Sequence, residues 1–449
     1  MHLHIAGIGG TFMGGIAVLA KALGHTVTGC DANLYPPMST LLASANIPVI
    51  SGYDAAQLDG LACDCVIIGN ALSRGNPLVE AVLNQSVPYT SGPEWLAQHV
   101  LQNRIVIAVS GTHGKTTTAS MVAWILDCAG LDPGFLIGGE PLNFGVSARL
   151  GTGRYFVVEA DEYDTAFFDK RSKFVHYHPQ ICIINNLEYD HADIFPNLEA
   201  IQQQFHHLVR TIPSQGALIY PAQTPTIEAV LQKGCWSRQI PLEDKNTWHV
   251  ADLTPSGDAF TLYQAGKMVG RVEWPLLGRH NIANALAAVA ASMEAGVSAE
   301  MAVASLCTFQ SVARRLEVKG HIDKITVYDD FAHHPTAIAT TLAGLRAKVG
   351  ESPILAILDI RSNTLKMGVH QDSLSNSLIL ANHVILHKTP QIAWDVQQVA
   401  NAHPNAQVVD SIEPILQWVQ QNRYTPLHVL IMSNGGFGGL YQKLLSLTI

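Results

Sequence analysis

The segment that decides the fold reads IVIAVSGTHGKTTTASMVAWILDCAG and spans residues 105–130. Its apolar beginning predicts a buried strand, and its apolar end predicts a helix. The glycine-rich loop between them suits a triphosphate. Backbone N–H groups of such a loop cradle the β- and γ-phosphates, Lys115 adds a point charge, and the Thr116 hydroxyl can bind magnesium. Val109 stands where the common pattern G-x-x-x-x-G-K-[ST] has glycine, but the strand, loop and helix together still predict a nucleoside triphosphate site.

The composition is that of a large, weakly charged protein. The chain has 449 residues, of which 48% are hydrophobic and 14% are charged, and its net charge is −9. This length allows roughly two to four domains. The low charged fraction predicts strands that are covered on both faces. Because the charge is negative, the basic footprint of general nucleic-acid or anionic-membrane binding is excluded, and we expect neither partner.

The cysteines and the chain start favour a cytoplasmic protein. The seven cysteines are scattered and form no C-x-x-C pattern, so we expect neither a disulfide framework nor a zinc ribbon. No apolar run reaches the roughly 18 residues of a membrane span, and no basic leader precedes the first strand-like segment. The sequence leaves the oligomeric state, monomer or dimer, open.

Short apolar runs alternate with helix-period segments along almost the whole chain, which is typical of an α/β fold. Two polar or proline-bearing stretches predict domain boundaries, so we expect domains over residues 1–100, 101–312 and 313–449. The stretch 213–270 predicts extra strands within the second domain. Ten apolar runs predict strands: residues 2–6, 26–30, 65–68, 105–109, 155–159, 181–184, 325–328, 354–358, 383–386 and 429–432.

The first predicted strand leads into a second glycine loop, GIGGTFMGG at residues 7–15, followed by a helix pattern and a strand that ends at Asp31. This βαβ pattern predicts a diphosphate ligand, because glycines let the backbone approach phosphates and the acidic residue can bond a sugar hydroxyl. NAD, bound by an oxidoreductase, is the alternative. Phe12 opposes NAD, since glycine normally fills that sixth place of the G-x-G-x-x-G pattern.

Carboxylates and a histidine follow the next two predicted strands of the central region. Glu159 ends the strand of residues 155–159, with Asp161, Glu162 and Asp164 behind it. We expect Glu159 to bind the metal of the nucleotide and some of the other three to be solvated or structural. His191 follows the strand of residues 181–184 and is expected at the same sheet edge, where it can bind a second metal or a phosphate.

Seven motifs, taken in order, resemble the signature set of the cytoplasmic Mur ligases: GxGGxxMGG, GTHGKTTT, VEADEYD, NNLEYDH, GRHNIANALAA, RRLE and YDDFAHHP. They span nearly the whole chain. The resemblance implies a three-domain α/β architecture: a Rossmann-like N-terminal domain for a UDP-sugar, a central P-loop ATPase domain, and a Rossmann-like C-terminal domain that binds the incoming amine and closes over ATP. A nonenzymatic nucleotide switch is disfavoured, because the metal positions and the third domain suit group transfer.

The resemblance also implies the reaction, an ATP-dependent ligation that forms a C–N bond through an acyl phosphate with Mg²⁺, or alternatively Mn²⁺. Several segments, among them LDIRSNTLKMGVH at residues 358–370, are similar to family members that act on UDP-N-acetylmuramate. Of the two kinds of member that act on this sugar, these segments look like the one whose amine substrate is the murein tripeptide L-alanyl-γ-D-glutamyl-meso-diaminopimelate, joined in peptidoglycan recycling. L-alanine, joined in peptidoglycan biosynthesis, is the alternative. UDP-N-acetylmuramate and the tripeptide are therefore the expected small-molecule partners.

The resemblance implies roles for individual residues. Catalytic roles are expected of Lys115, Glu159 and His191, and metal contacts of Thr116, Glu159 and His191. ATP contacts are expected of Gly111, Thr112, His113, Gly114, Lys115, Thr116, Thr117, Asn281, Arg315, Asp330 and His333. UDP-sugar contacts are expected of Gly7, Gly9, Gly10, Phe12, Met13, Gly14, Asp31, Ala71 and Arg74.

Peptide recognition is expected of Arg361, Ser362, Asn363 and Thr364. Arg361 follows a predicted strand and can pair with a carboxylate through two parallel hydrogen bonds. The three polar residues after it can add further hydrogen bonds. A tripeptide that carries several carboxylates suits such an arginine better than alanine does, whereas a surface arginine in a polar loop is the simpler alternative.

Overall fold

Three β-sheets follow one another along the chain, and each is covered by helices. The structure is a computed structural model and describes residues 1–448. The sheets have five, ten and six strands, and a separate two-stranded pair lies beside the second. Most neighbouring strands in the three sheets are parallel, as expected of an α/β protein.

The first sheet is fully parallel and has the strand order β3-β2-β1-β4-β5. The chain direction across the sheet reverses between β1 and β4, so the glycine loop after β1 lies at the topological switch point, where such sheets bind nucleotides. Its elements are β1 (His2–Ala6), α1 (Thr11–Ala22), β2 (Thr26–Asp31), α2 (Met38–Ser44), β3 (Val49–Ser51), β4 (Cys65–Ile68), α3 (Pro77–Asn84), β5 (Tyr89–Ser91) and α4 (Gly92–His99).

The second sheet places the strand before the nucleotide loop at its centre. Its elements are β6 (Ile105–Ser110), α5 (Lys115–Cys128), β7 (Gly134–Leu136), β8 (Ala148–Arg149), β9 (Tyr155–Glu159), β10 (Asp164–Ala166), β11 (Asp169–Ser172), β12 (Ile181–Ile184), α6 (Leu198–Val209), β13 (Ala217–Pro221), α7 (Pro225–Gln232), β14 (Arg238–Leu242), β15 (Trp248–Ala251), β16 (Ala259–Gln264), β17 (Lys267–Glu273), α8 (Arg279–Glu294) and α9 (Ala299–Leu306). The order is β17-β16-β15-β14-β13-β12-β6-β9-β7-β8, with β10 and β11 paired separately. Because β12 and β9 flank β6 in parallel, the carboxyl ends of all three meet at one edge.

The third sheet has the order β18-β19-β23-β20-β21-β22 and is parallel except for its first pair. Its elements are β18 (Glu317–Ile322), β19 (Ile325–Asp330), α10 (Pro335–Val349), β20 (Ile354–Ile360), α11 (Asn363–Lys366), α12 (Gln371–Ser377), β21 (His383–Lys388), α13 (Gln397–Asn401), β22 (Ala406–Val409), α14 (Glu413–Asn422), β23 (Leu427–Met432) and α15 (Leu440–Leu445).

Strand β20 shows why apolar runs form these sheets. All seven of its residues are buried. Alternate side chains point to opposite faces, so Leu358 joins the core that contains Leu342 of α10, while Ile357 joins the core that contains Val419 of α14. Each large apolar side chain buried in this way contributes about 1.5–3 kcal/mol. A strand whose two faces both pack into a core needs apolar residues at successive positions, and residues 354–358 are such a continuous apolar run.

The structure contains all ten predicted strands. Four have the predicted bounds, and the other six extend one or two residues further. The region 213–270 does contribute extra strands, β13–β17, to the second sheet. Each predicted domain range contains one large sheet, although the domain limits themselves stay predictions. Within residues 1–448, no helix combines the length and apolar character needed to cross a bilayer.

Candidate active site

A large cleft, with a volume of about 2140 Å³, is lined by residues from all three sheet regions. Its wall includes Gly9 from the first region, Lys115 from the second and Asp330 from the third. The strand ends described above open into it, and in α/β proteins ligands bind outside the carboxyl ends of the strands. The residues at those ends are therefore the candidates for chemistry.

The nucleotide loop is shaped by a glycine that no other residue can replace without strain. Gly114 has a φ of 77°, and a Cβ at this position would lie 2.4 Å from Asn284 Oδ1. Helix α5 begins at the next residue, and its first turn has no side-chain cap and no acidic residue. The N–H groups of a helix start attract anions, so this loop and helix are suited to bind phosphate.

Lys115 spans the loop and contacts two acceptors. Its Nζ donates to Gly111 O at 2.7 Å and to Glu162 Oε2 at 2.9 Å, and Asp161 Oδ1 lies 3.9 Å away. Burial alone would lower the pKa of Lys115, but the charges of Glu162, Asp161 and Glu159 raise it above its ordinary value. Lys115 is therefore a permanent cation at the position expected for a γ-phosphate contact.

Thr116 and Glu159 form a second polar pair beside the loop. Thr116 Oγ1 donates to Glu159 Oε1 at 2.9 Å, and Gly138 N donates to Glu159 Oε2 at 2.6 Å. Arg315 reaches the same hydroxyl from the C-terminal side, where its Nη2 donates to Thr116 Oγ1 at 3.2 Å. Burial and the neighbouring charge of Asp161 raise the pKa of Glu159. A cation at this pair would relieve that destabilisation, and hydroxyl and carboxylate oxygens are the donors that Mg²⁺ prefers.

His191 lies at the same sheet edge but contacts Glu162 rather than Glu159. Its Nε2 is 3.3 Å from Glu162 Oε1, and only 2% of the Glu162 side chain is exposed. Burial opposes both ionised forms, yet Lys115 and His191 lower the pKa of Glu162 to about 2, and Glu162 raises the pKa of His191. Lys115, Glu162 and His191 thus form one chain of alternating charge, in which the first two side chains are buried and that of His191 is half-buried. The sequence predicted only that some of Asp161, Glu162 and Asp164 are solvated or structural, and the structure places Glu162, buried, at the centre of this chain.

Two asparagines after β12 hold the nucleotide loop from its other side. Asn186 Oδ1 accepts from the His113 backbone N–H at 2.8 Å, and Asn185 Nδ2 donates to Thr118 Oγ1 at 2.9 Å. Both were part of a motif in the sequence, but their function in positioning the loop was not foreseen. Only the parallel neighbourhood of β12 and β6 reveals it.

The start of α8 and the first loop of the C-terminal region form the other wall near the nucleotide loop. Asn281 lines the cleft, where its side chain donates to Leu277 O at 2.8 Å. The Arg315 guanidinium packs over the Phe331 ring, 5.2 Å from its centroid. The guanidinium and the Phe331 ring together offer a flat surface on which the adenine ring of ATP can stack. The ATP contacts expected of Asn281 and Arg315 stay predictions.

Asp330 and His333 are near this wall, but their polar atoms bond to the protein itself. The carboxylate of Asp330 accepts N–H groups from Leu316 and Ala332, each at 2.7 Å. His333 Nδ1 lies 2.9 Å from Phe331 O. Burial raises the pKa of Asp330 and lowers that of His333. In this arrangement Asp330 fixes the loop that carries Arg315, and the ATP contacts expected of Asp330 and His333 stay predictions.

The N-terminal glycine loop is tied to the end of β2. Gly9 N donates to Asp31 Oδ2 at 2.9 Å, and a Cβ on Gly9 would lie 2.9 Å from that carboxylate oxygen. Gly10 precedes α1, whose start has no side-chain cap. This is the geometry expected of a diphosphate loop, although Asp31 here orders the loop as well as facing the cleft.

Phe12, the residue that opposed an NAD site, packs against the central region. Lys173 Nζ lies 4.5 Å from the centre of the Phe12 ring and 4.2 Å from that of Tyr163, and 3.6 Å from Asp161 Oδ2. Burial lowers the pKa of Lys173. Sequence reasoning missed Lys173, because a lysine in a short polar strand region gives no signal until the two sheets are placed together.

The other residues expected to bind the UDP-sugar divide into two groups. Gly7, Met13 and Ala71 line the cleft, and Gly14 packs beside Met38 behind the loop. Arg74 is outside the cleft lining. Its exposed guanidinium makes two hydrogen bonds to Glu80, of 2.9 and 3.1 Å, so the structure does not bring it to the other residues.

The segment expected to bind peptide lies next to His191. Thr364 Oγ1 donates to Asp190 Oδ1 at 2.7 Å, and Asn363 Nδ2 donates to Asp193 Oδ2 at 2.8 Å. These residues, with Arg361, Ser362 and His191, line a smaller cavity of about 240 Å³. Arg361 is exposed, so its guanidinium is available to an anionic ligand.

The sequence matches three family descriptions along its length. They are the Mur ligase family catalytic domain at residues 2–104, the Mur ligase middle domain at 109–292 and the Mur ligase glutamate ligase domain at 314–435. A ligase of Escherichia coli (strain K12), named UDP-N-acetylmuramate–L-alanyl-γ-D-glutamyl-meso-2,6-diaminoheptandioate ligase, is 53% identical over 99% of this chain and 98% of its own. The chain belongs to the Mur ligase family.

Two further comparisons place this Mur ligase within the family. The crystal structure of a murein peptide ligase from Psychrobacter arcticus 273-4 superimposes with a TM-score of 0.80 at 46% identity, covering 100% of this chain and 98% of that one. A UDP-N-acetylmuramate–L-alanine ligase of Arthrobacter sp. (strain FB24) is 36% identical over 78% of this chain and 73% of its own. The three-domain α/β architecture predicted from the motifs is therefore confirmed for this Mur ligase.

Proposed function

We propose that this Mur ligase joins the amine of L-alanyl-γ-D-glutamyl-meso-diaminopimelate to the lactyl carboxylate of UDP-N-acetylmuramate, with hydrolysis of ATP to ADP and phosphate. The observation that carries this proposal is the near full-length identity to the Escherichia coli ligase, whose name states that amine and that acceptor. The relative named for L-alanine is less similar and matches over a smaller part of the chain. A ligase for L-alanine is the alternative.

The nucleotide loop supplies the first step. The carboxylate of the sugar attacks the γ-phosphorus of ATP, and the bond between this phosphorus and the oxygen bridging to the β-phosphorus breaks. ADP is the leaving group, and the sugar becomes an acyl phosphate. Two anions must approach each other for this attack, so positive charge at the meeting point lowers the barrier. Lys115 is buried and permanently charged, and the uncapped start of α5 adds N–H groups.

Thr116 and Glu159 fit a hard divalent cation. When bound, Mg²⁺ would neutralise part of the phosphate charge. The Thr116 hydroxyl and the Glu159 carboxylate already lie 2.9 Å apart, and Glu159 is a half-buried carboxylate whose pKa is raised by burial and by the charge of Asp161. His191 lies beside Glu162 at the same sheet edge, and a second metal bound there, with Mn²⁺ as the alternative to Mg²⁺, stays a prediction.

The cleft wall supplies the second step. The amine of the peptide attacks the acyl carbon, phosphate leaves with its electron pair, and the amine loses a proton. Water would compete for the same carbon, so the site has to exclude it. Arg315 contacts Thr116 across the cleft, which supports a C-terminal region that covers the loop. Arg361, near His191, is placed to bind a carboxylate of the peptide.

Phosphate release from ATP tests the proposal. UDP-N-acetylmuramate and Mg²⁺ are held constant while the tripeptide and L-alanine are compared as amines, and the product mass is measured. Turnover with the tripeptide and the corresponding mass support the proposal. Turnover with L-alanine alone assigns the enzyme to the alternative, and turnover with neither amine rejects both substrate assignments.

A further inference from the structure

Three side chains from distant parts of the sequence meet beside the nucleotide loop. His113 belongs to the loop, Glu188 follows β12, and His334 precedes α10 in the C-terminal region. His113 Nε2 lies 3.1 Å from His334 Nδ1 and 3.3 Å from Glu188 Oε2, and His334 Nδ1 lies 3.5 Å from the same Glu188 oxygen. The three atoms therefore form a nearly equilateral triangle.

The size of this triangle matches one face of a tetrahedral metal site. Ligand atoms held about 2.0–2.1 Å from a tetrahedral Zn²⁺ are about 3.3 Å from one another. The three observed distances differ from that value by at most about 0.2 Å. Three protein ligands and one open position constitute the usual composition of a zinc site that exchanges its fourth ligand.

Hydrogen bonding alone does not satisfy all three contacts. His334 Nδ1 accepts the N–H of Thr336 at 3.3 Å, so this nitrogen carries a lone pair rather than a proton. An imidazole nitrogen has only one such lone pair, so a bound cation would replace this long hydrogen bond. His113 Nε2–H can then donate to His334 or to Glu188. His334 Nδ1 and Glu188 Oε2, 3.5 Å apart, then have no proton between them, so their lone pairs repel each other. A cation at the centre of the triangle would remove this repulsion.

The protonation states of buried His334 and half-buried Glu188 suit metal binding. Ligands of a metal must be unprotonated imidazoles and carboxylates. Burial, with the charges of His113 and His370, lowers the pKa of His334 to about 4. Burial opposes ionisation of Glu188, but hydrogen bonds from His113 and Thr336 lower the pKa of this carboxyl to about 2. At neutral pH the site therefore presents one anion and lone pairs, without a proton to displace from Glu188 or His334.

Neighbouring groups hold the ligands in place. Thr336 Oγ1 donates to Glu188 Oε2 at 2.7 Å, and the Glu188 backbone N–H donates to Thr112 Oγ1 at 2.8 Å. The His113 backbone is held by Asn186. Groups that orient ligands in this way usually change metal affinity by about 10- to 100-fold when they are removed. The triad is thus pre-organised from both the central and the C-terminal region.

We propose that His113, Glu188 and His334 bind a divalent cation of the Zn²⁺ type, at a site separate from the magnesium position expected at Thr116 and Glu159. Two imidazole nitrogens and one carboxylate select Zn²⁺ or Co²⁺ over Mg²⁺. The bound ion ties the nucleotide loop to the C-terminal region, because its ligands come from both.

Metal titration of the full-length protein tests this proposal. The protein is stripped with a chelator, which is then removed, and Co²⁺ is added without nucleotide while visible absorption is recorded. Zn²⁺ binding is followed by calorimetry. We expect one equivalent of Co²⁺ with the intense absorption of tetrahedral coordination, displacement by Zn²⁺, and a melting temperature raised by several degrees. Weak octahedral absorption alone would overturn the proposal.

Variants distinguish this triad from the other histidines of the chain. His334→Ala and Glu188→Gln should each weaken Zn²⁺ binding at least tenfold and remove the tetrahedral absorption. His370→Ala is the matched control, because its ring packs 4.5 Å from that of His334 while its Nε2 contacts Tyr189 O instead of the triad. The control should bind within about threefold of the wild type. Unchanged binding in E188Q, with far-ultraviolet circular dichroism showing an intact fold, would contradict the assignment even if H334A unfolds.

Discussion

Gly114 illustrates how a single backbone position limits the nucleotide site. Its φ of 77° is strained for any other residue, and its missing Cβ leaves room for Asn284. We expect Gly114→Ala to lose at least about 100-fold in phosphate release, because the loop must shift, and to cost about 1–3 kcal/mol of unfolding free energy. Steady-state kinetics and urea unfolding measure the two effects.

Gly130→Ala is the control for this prediction. Gly130 has a φ of 74°, but a Cβ there would meet no atom within 4 Å. This substitution carries only the left-handed backbone cost of roughly 1–2 kcal/mol and should leave turnover unchanged. Equal losses of turnover in both variants would show that the loss in G114A comes from left-handed backbone strain in general and not from the contact with Asn284.

The chain of Lys115, Glu162 and His191 predicts a pH-dependent stability. Glu162→Gln leaves buried Lys115 without its nearest anion and should cost about 2 kcal/mol. Because Glu162 raises the pKa of His191 above its unfolded value, this pairing stabilises the fold fully below the unfolded pKa, near 6.5, and the contribution is lost as the pH rises through the folded pKa. The destabilisation by E162Q should therefore be larger at pH 6 than at pH 8.5.

Urea unfolding at the two pH values measures this effect, since Glu162 itself, with a pKa of about 2, stays ionised at both. Glu80→Gln is the control, because Glu80 forms its ion pair with Arg74 at the surface and should cause no measurable change. An E162Q effect of the same size at both pH values would contradict the pairing of Glu162 with His191.

For individual residues, the sequence predicted which side chains line the cleft better than it predicted which residues they contact. It named Lys115, Glu159 and His191, and all three lie at the cleft edge. It did not identify Glu162 as the shared partner of Lys115 and His191, because one strand ends in an acidic residue and three more follow it within five positions, and only the loop conformation decides which carboxylate turns inward. Lys173 was missed for a similar reason, since its contact with Phe12 depends on how two sheets meet.

Among the elements, the short helix α11 shows how a strand end is converted into a binding position. Ser362 Oγ accepts the N–H of Leu365 at 3.3 Å and so caps the helix directly after β20. Thr364 anchors it to Asp190. Arg361 is thereby fixed beside Gly435, where a Cβ would approach its guanidinium carbon to 2.7 Å. The element holds Arg361 at the mouth of the cavity that also contains His191.

Arg361→Ala should raise the KM for the tripeptide by about 10- to 100-fold, the equivalent of a lost hydrogen-bonded ion pair, with the KM for ATP within about twofold of wild type. Arg271→Ala is the control, since Arg271 lies on β17 and pairs with Glu273 near the surface. Initial rates with each substrate varied in turn measure both constants. An unchanged KM for the tripeptide in R361A would remove Arg361 from peptide recognition.

The sequence predicted the buried strands more accurately than the short or polar ones. Strands β9 and β12 have the predicted bounds because they are apolar runs enclosed on both faces. Strands β7 and β8, of three and two residues, are too short to show any alternation. The pair β10 and β11 is polar and lies outside the large sheets. Such short strands form because they pair with neighbouring strands, so the local sequence pattern does not predict them.

In the whole molecule, the central and C-terminal regions contact each other beside the nucleotide loop. Arg315 reaches Thr116, and His334 reaches His113. Helix α10 also approaches the start of α8 closely at two glycines, because a Cβ on Gly344 would lie 3.2 Å from the backbone of Gly278. The sequence did not predict this contact, because a glycine inside a helix indicates close packing only when the helix that packs against it is known.

Gly344→Val therefore tests docking of the two regions without touching the cleft. The added side chain meets backbone atoms, so α10 must move away from α8, and we expect the KM for ATP to rise roughly tenfold, as for a coupling of about 1–2 kcal/mol. Ala343→Val is the matched control, because it makes a similar change on the exposed face of the same helix turn. Its kinetics should match the wild type, since the valine there extends into solvent. Equal KM values for ATP in G344V and A343V would mean that nucleotide binding does not depend on this docking and that the central region binds ATP by itself.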